Sequence, residues 1–319
     1  MKKIKVDHIY DCYPLYRAIY GQDSVDRARD VQEAVAVAQI WVETFCPGIV
    51  YPKVKKELKV IELFSGTSSE HEPEFRRHLG VPVAEYYYSD IAQHPDTHPR
   101  VIIGDVTSPT FLHVDSVKRK SLYAEFDMVL AFYFSAGSFL KEADIADPYT
   151  PMENMMQNAC GLLKKGGIFI LDNLQNPVDS AFDAYRDGDE VCDVPIYGFH
   201  PLRAFLGLPI VGGDCTLTYT AKYKANRLTF MSAETLTDIH VKFDGKKVAT
   251  FTIEEPFLQC AFTEGELVRA AKHAGFRHTI YLNDYTNPLD CEVYIDDPWI
   301  TPVKGDTKGN FATKLGFVR

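Results

Sequence analysis

The stretch Lys59-Val-Ile-Glu-Leu-Phe-Ser-Gly-Thr-Ser-Ser69 decides how the rest of the chain is read. An apolar run carrying the acid Glu62 enters a turn of small residues around Gly66, and a helix is expected over Glu72 to Leu79. A strand followed at once by a tight turn and a helix forms a βα unit, whose ligand sits at the carboxyl end of the strand. Gly66 lets backbone approach that ligand, because it lacks a Cβ and tolerates positive φ. No Gly-Lys-Ser/Thr follows, which excludes a P-loop, and a single glycine excludes the G-x-G-x-x-G dinucleotide fingerprint. Phosphate is therefore not the expected ligand.

The same layout recurs downstream. Val83 to Asp90 is a second strand ending on an acid, followed by Ile91. Arg100-Val-Ile-Ile-Gly-Asp105 is a third, followed by Val106. Each Asp alone reads equally well as a solvated strand end, but the repeated succession of strand and acid is hard to reach by accident. Phe126-Asp-Met-Val-Leu-Ala131 forms a fourth strand that runs into Phe132-Tyr-Phe-Ser-Ala-Gly-Ser138. A helix over Met152 to Leu163 follows, with Met155, Met156, Ala159, Leu162 and Leu163 at helical spacing, a stripe read as core packing. Lys164 to Gly167 are expected to stop it, with cations in the last turn and glycine at the C-cap. Ile168 to Leu171 is the fifth strand.

This succession resembles the class I S-adenosylmethionine (SAM) methyltransferases. Val60 to His71 is similar to their motif I, with Ser68 where glycine is usual, and Phe126 to Leu140 to their motif IV. Gly104-Asp105 and Leu162 to Asp172 carry further likeness. The resemblance implies an α/β fold with a Rossmann-like seven-stranded sheet and SAM as cofactor. It places Glu62, Phe64, Ser65, Gly66 and Thr67 at the cofactor, and makes Asp90, beside Ile91, the acceptor of both ribose hydroxyls. A carboxylate suits that task because both its oxygens are acceptors only. Asp105 would receive the adenine amino group beside the N–H of Val106, with Ala131 and Phe132 completing the site. Arg27 or Arg29 is a candidate clamp for the methionine carboxylate, since a guanidinium binds carboxylate bidentately.

Around that core, residues 1–55 are expected to form an N-terminal helical lid, carrying Tyr10, Tyr13, Tyr16 and Tyr20. The SAM-binding core spans 56–180. Residues 181–262 combine a Pro-, Gly- and Asp-rich irregular segment with a small antiparallel β insert, whose strands over 227–243 and 247–253 are joined by Asp244-Gly245. Residues 263–319 complete the core, with a capping box at Thr263-x-x-Glu266 opening a helix to Ala274. This order resembles the small-molecule N-methyltransferases, of the amino-sugar and glycine N-methyltransferase type, over roughly residues 10 to 285. In the sugar enzymes a His follows the glycine after strand four; Ser138 stands there in this chain.

The chain has 319 residues, 46% hydrophobic and 24% charged, enough for one large core with an appended layer. Its net charge of −10 argues against free nucleic acid as partner. No apolar stretch reaches the length of a membrane span, and the start has no apolar signal segment. Seven cysteines, odd in number and never in a C-x-x-C pair, fit a reducing, cytoplasmic compartment. His94-x-Asp96-x-His98 reads as solvent-exposed rather than as a metal site. The expected reaction is methyl transfer to the amine of a small molecule, and a homodimer is compatible with it. Tyr13, Tyr10 and Tyr20 are candidates to line the pocket, through cation–π contact and their hydroxyls; packing of the helix against the core is the alternative for each. His200 is the candidate base for a hydroxyl acceptor, and Asn173, Gln175, Tyr197 and Arg203 are candidate acceptor contacts. A methyltransferase of a macromolecule and a non-catalytic SAM-binding subunit are the rival readings.

Overall fold

The computed structural model describes residues 1–20, 24–46, 57–65, 71–91, 100–113, 122–132, 147, 149–172, 188–226, 231–260, 262, 264–282, 291–294 and 314–319. In chain order the elements are β1 (Lys2–Val6), α1 (Tyr13–Tyr20), α2 (Ser24–Phe45), β2 (Leu58–Leu63), α3 (Glu72–Leu79), β3 (Val83–Asp90), β4 (Val101–Ile103) and β5 (Phe126–Ala131). Then come α4 (Tyr149–Leu162), β6 (Leu163–Asp172), β7 (Gly188–Pro195), α5 (Pro201–Leu206), β8 (Cys215–Asn226) and β9 (Met231–Phe243). The last are β10 (Lys246–Ile253), β11 (Phe257–Cys260), α6 (Glu264–Ala274), β12 (His278–Leu282), β13 (Cys291–Tyr294) and β14 (Lys314–Val318). They fall into two units, Met1–Asp23 with Phe182–Cys260 and Ser24–Ala181 with Ala261–Arg319.

The larger unit is built on a sheet in the order β13-β12-β14-β6-β5-β2-β3-β4. β4, β3, β2, β5 and β6 run parallel, while β14 is antiparallel to both β6 and β12. This is the expected mostly parallel Rossmann-like sheet, with β13 as an additional antiparallel strand at its edge. Every residue of β5 is buried, as a strand covered on both faces must be. Alternation along β6 assigns the two faces. Ile168 and Ile170 join a cluster with Val31, Ala34, Val37, Ala38 and Trp41 of α2. Phe169 packs instead against Phe276 and Phe317. The Trp41 indole N–H donates to the Gly166 carbonyl at 2.9 Å, which fixes α2 along the sheet.

α4 ends at Leu162, with no basic residue in its last turn. The expected dipole role for Lys164 and Lys165 is therefore corrected: Lys164 opens β6 and its ammonium lies 2.7 Å from Asp127 Oδ2. That oxygen also accepts the Lys59 N–H at 3.0 Å, so one buried carboxylate joins the starts of β2, β5 and β6. Gly316 is held by space rather than by φ. A Cβ there would stand 2.6 Å from Val37 Cγ1 and 3.0 Å from Ile168 Cδ1. Gly316→Ala is expected to cost about 1–3 kcal/mol by overpacking, read from the shift of the urea midpoint. An unchanged midpoint would mean that α2 can move away from β14 at no cost.

The smaller unit is an antiparallel sheet, β10-β9-β8-β7, with β1 added parallel to β10 and β11 paired to β9. Asp244 and Gly245 adopt φ 49° and 76°, as their hairpin requires. Leu15 and Ala18 of α1 and Leu202 and Leu206 of α5 pack with Leu217, Ile239 and Phe251. Two expectations change here. Residues 2–6 form a strand rather than part of a helical lid, and the segment read as 1–55 is shared between the two units. The segment read as irregular contains β7 and α5. Thr263 of the expected capping box lies outside the described residues.

Candidate functional site

The strand order reverses at β2, which has β3 and β4 on one side and β5 and β6 on the other. In open α/β sheets the ligand crevice lies at such a point, beyond the carboxyl ends of the strands. The chain leaves β2 through Phe64, whose φ of 57° is left-handed. For a residue with a Cβ that conformation costs about 1–2 kcal/mol. The Ser65 N–H then donates to the Ser89 carbonyl at 3.1 Å, drawing the turn toward β3. Gly66, Thr67 and Ser68 lie outside the described residues.

Glu62 sits under this turn with both oxygens engaged. Oε2 accepts the Tyr86 hydroxyl at 2.7 Å, and Oε1 lies 3.0 Å from His71 Nδ1. His71 is the N-cap residue of α3, so the pair ties the strand entering the turn to the helix leaving it. The His71 ring also stacks on Phe132, with centroids 4.3 Å apart. Glu62 thus braces the site from within, and His71 and Tyr86 are members that sequence reasoning missed.

Asp90 ends β3, half-buried, and its carbonyl accepts the Gly104 N–H at 2.9 Å. Ile91 behind it is 50% exposed. Asp105 follows β4, and its Oδ1 accepts the N–H and the hydroxyl of Thr107 at 2.9 and 2.5 Å. Val106 is buried. Its carbonyl and that of Ser108 each accept from the Asn158 amide at 2.7 Å. Asn158 interrupts the apolar stripe of α4, and that interruption was the one sequence signal for it.

On the other side of β2, Ala131 and Phe132 are buried at the end of β5. Ala131 pairs in register with Leu171, so Asp172 ends β6 beside Phe132. The Lys314 ammonium at the start of β14 donates to Asp172 Oδ1, and to Asp30 Oδ1 of α2 at 2.9 Å. It lies 5.6 Å from the centroid of the Phe132 ring. Neither Lys314 nor Asp30 was legible as a site residue.

Tyr13 begins α1 in the smaller unit, half-buried. Tyr10 and Tyr20 fall in that unit and Arg29 in α2, but the side chains of these three lie outside the described residues, as do Asn173, Gln175, Ser138 and the 94–98 segment. His200 caps α5: its Nδ1 accepts the Leu202 N–H at 3.1 Å, and the ring also bonds to the backbone of Arg17. Burial holds its pKa below the ordinary value. The Nδ1 lone pair is thus taken up at the helix cap. Arg203 is corrected: its guanidinium donates to the carbonyls of Pro209, Gly212 and Gly213 at 3.1, 3.1 and 2.6 Å, bracing the loop after α5. Among the described residues no group of three or more His, Cys, Asp or Glu could hold a metal ion, and no helix is long and apolar enough to cross a membrane.

No family model and no curated protein matches the sequence. The fold does match solved structures. DesVI of Streptomyces venezuelae is 11% identical with a TM-score of 0.51, the match covering 97% of this chain and 96% of DesVI. The sugar N-methyltransferase KedS8 from Streptoalloteichus sp. ATCC 53650 is 16% identical with a TM-score of 0.51, covering 98% of this chain and 94% of KedS8. At these identities the likeness is one of fold.

Proposed function

We propose that this chain, which has the class I methyltransferase fold and shares it with a sugar N-methyltransferase, is a SAM-dependent methyltransferase acting on the amine of a small molecule. The observation that carries the reading is the row of groups along the carboxyl edge where the strand order reverses. Phe64 and Ser65 follow β2, Asp90 ends β3 and Ile91 follows it, Asp105 and Val106 follow β4, and Phe132 follows β5. This donor set fits a nucleoside. Two carboxylates can accept from hydroxyl and amino groups, and the exposed face of Ile91 can cover a ring.

SAM, when bound, supplies a methyl group already activated by the positive charge on sulfur. The residues of the chain have then to hold an uncharged nucleophile about 3–3.5 Å away and aligned. A hydroxyl would need a base within reach, which an amine that arrives uncharged does not. That supports an amine. Tyr13, with Tyr10 and Tyr20, has the residue type suited to an acceptor amine, and Arg29 that suited to the cofactor carboxylate. The reading is tested by incubating the protein with SAM and a panel of amines headed by amino sugars, scored by mass spectrometry for added methyl groups. Methylation of one or more small amines is expected. Turnover confined to polymers would replace this reading with a macromolecular methyltransferase. SAM binding without any turnover would replace it with a non-catalytic subunit.

A further inference from the structure

Asn158 stands where α4 has least use for it. Its neighbours Met155, Met156, Ala159 and Leu162 are buried and apolar, and Asn158 itself is only 3% exposed. An asparagine inside a helix competes for hydrogen bonds with the backbone around it, and its amide is costly to bury unless it is hydrogen-bonded. Both of the bonds that satisfy it run to one segment, the one that follows β4. Its Nδ2 donates to the carbonyls of Val106 and Ser108, each at 2.7 Å. Two carbonyl partners at once require an NH2 group. Gly161 lies three residues on, on the same face of the helix, and admits the far end of that segment, since a Cβ there would collide with Leu112. α4 thus supports residues 106–112 at two points, by hydrogen bonds at one and by space at the other.

The peptide planes of the segment follow from these supports. The Ser108 N–H donates to the Asp105 carbonyl at 2.9 Å, and Asp105 Oδ1 accepts the Thr107 N–H at 2.9 Å. A trans peptide is planar with its N–H and C=O on opposite sides, so the Val106 N–H points away from the bond that the Asp105 carbonyl makes. The next plane is set by the Val106 carbonyl, which Asn158 holds. Asp105 and Val106 therefore present a carboxylate acceptor and an N–H donor on successive residues, in a geometry that the Asn158 amide anchors from below. An acceptor beside a donor suits a ring edge with an amino group next to a bare ring nitrogen, as in adenine. It opposes one with a carbonyl next to a ring N–H, as in hypoxanthine. We propose, resting on the SAM reading above, that Asn158 is a positioning residue for the base: it sets the geometry in which Asp105 and Val106 tell adenine from hypoxanthine. It acts through the segment and not on the ligand.

Calorimetric titration with S-adenosylhomocysteine and with S-inosylhomocysteine tests this without turnover. The two ligands differ only in the base, so a general loosening of the site lowers both affinities alike and leaves their ratio unmoved. The wild type is expected to prefer the adenosyl compound on the order of a hundredfold, the worth of two hydrogen bonds. Asn158→Leu keeps nearly the same volume and removes both N–H donors, and is expected to cut that preference about tenfold or more. Asn158→Asp keeps the shape and can offer one hydrogen at most; it is expected to cut the preference in the same direction and decides the matter if Asn158→Leu does not fold. Gly316→Ala, on β14 across the sheet reversal from β4, serves as the control for strain, with a lowered urea midpoint and an unchanged preference expected. A wild-type preference in a folded Asn158 variant would overturn the proposal while leaving SAM binding intact, and so would an equal loss of preference in Gly316→Ala. A wild type that binds both ligands equally would remove Asp105 and Val106 as readers of the base, and the role of Asn158 with them. A wild type that binds neither would overturn the SAM reading itself.

Discussion

Lys314→Met is expected to destabilise the larger unit by about 3–5 kcal/mol, the cost typical of removing one partner from a buried ion pair. Methionine fills nearly the same volume, so the loss is electrostatic rather than a cavity. What remains is Asp30 and Asp172, buried at the junction of α2, β6 and β14 without the ammonium they share. Urea unfolding near neutral pH gives the size of the effect, and a loss below about 1 kcal/mol would show that the cluster behaves like a solvent-screened surface pair. The pH dependence separates its members. Folding raises the pKa of Asp172 to about 7, chiefly by burial. The folded state therefore binds a proton that the unfolded chain has released. The stabilisation due to Asp172 is complete below the ordinary carboxylate range and is lost as pH rises toward 7. Burial works to lower the pKa of Lys314, but Asp172 and Asp30 outweigh it and raise the value. Its contribution holds below the ordinary lysine range and fades only as pH climbs through the raised value. Asp172→Asn should accordingly flatten the fall of stability between about pH 4 and pH 7, which Lys314→Met cannot do while leaving the midpoint intact.

The strands of the larger unit were legible because a parallel sheet covered on both faces is written as uninterrupted apolar runs, and Phe126 to Ala131 is buried throughout. The acids at the ends of β3 and β4 were legible for a local reason, since each directly follows the run that positions it. What could not be read is what depends on distant segments. Lys314 meets Asp172 across 142 positions and Asp30 across 284, and no window of sequence contains both partners. β7 escaped because Gly188 to Val191 are all exposed, so the edge strand carries no clear alternation. The cap role of the His200 ring was not read, because its chemistry was considered without its neighbour Pro201, whose helix it caps. Glu62 was identified as a site residue, but its engagement by His71 and Tyr86 makes it a brace for the turn. That distinction belongs to tertiary packing.

Asp90→Ala is expected to weaken SAM binding about a hundredfold or more, while the fold survives. Two hydroxyl donors on one carboxylate form charge-assisted hydrogen bonds, each worth about 1.5–3 kcal/mol, and alanine removes both acceptors at once. The structural cost is small because the bond that closes β3 onto the segment after β4 uses the Asp90 carbonyl, which the substitution retains. The side chain is half-buried, so its removal opens no sealed cavity. Calorimetric titration with SAM and with its demethylated product, on wild type and variant, reads the effect directly. Both ligands carry the same ribose, so both affinities should fall by the same factor. A fall confined to SAM would place Asp90 near the sulfonium instead of the ribose. An undiminished affinity in a folded variant would remove the carboxyl end of β3 from the cofactor site and, with it, the row of acids on which the functional reading is built.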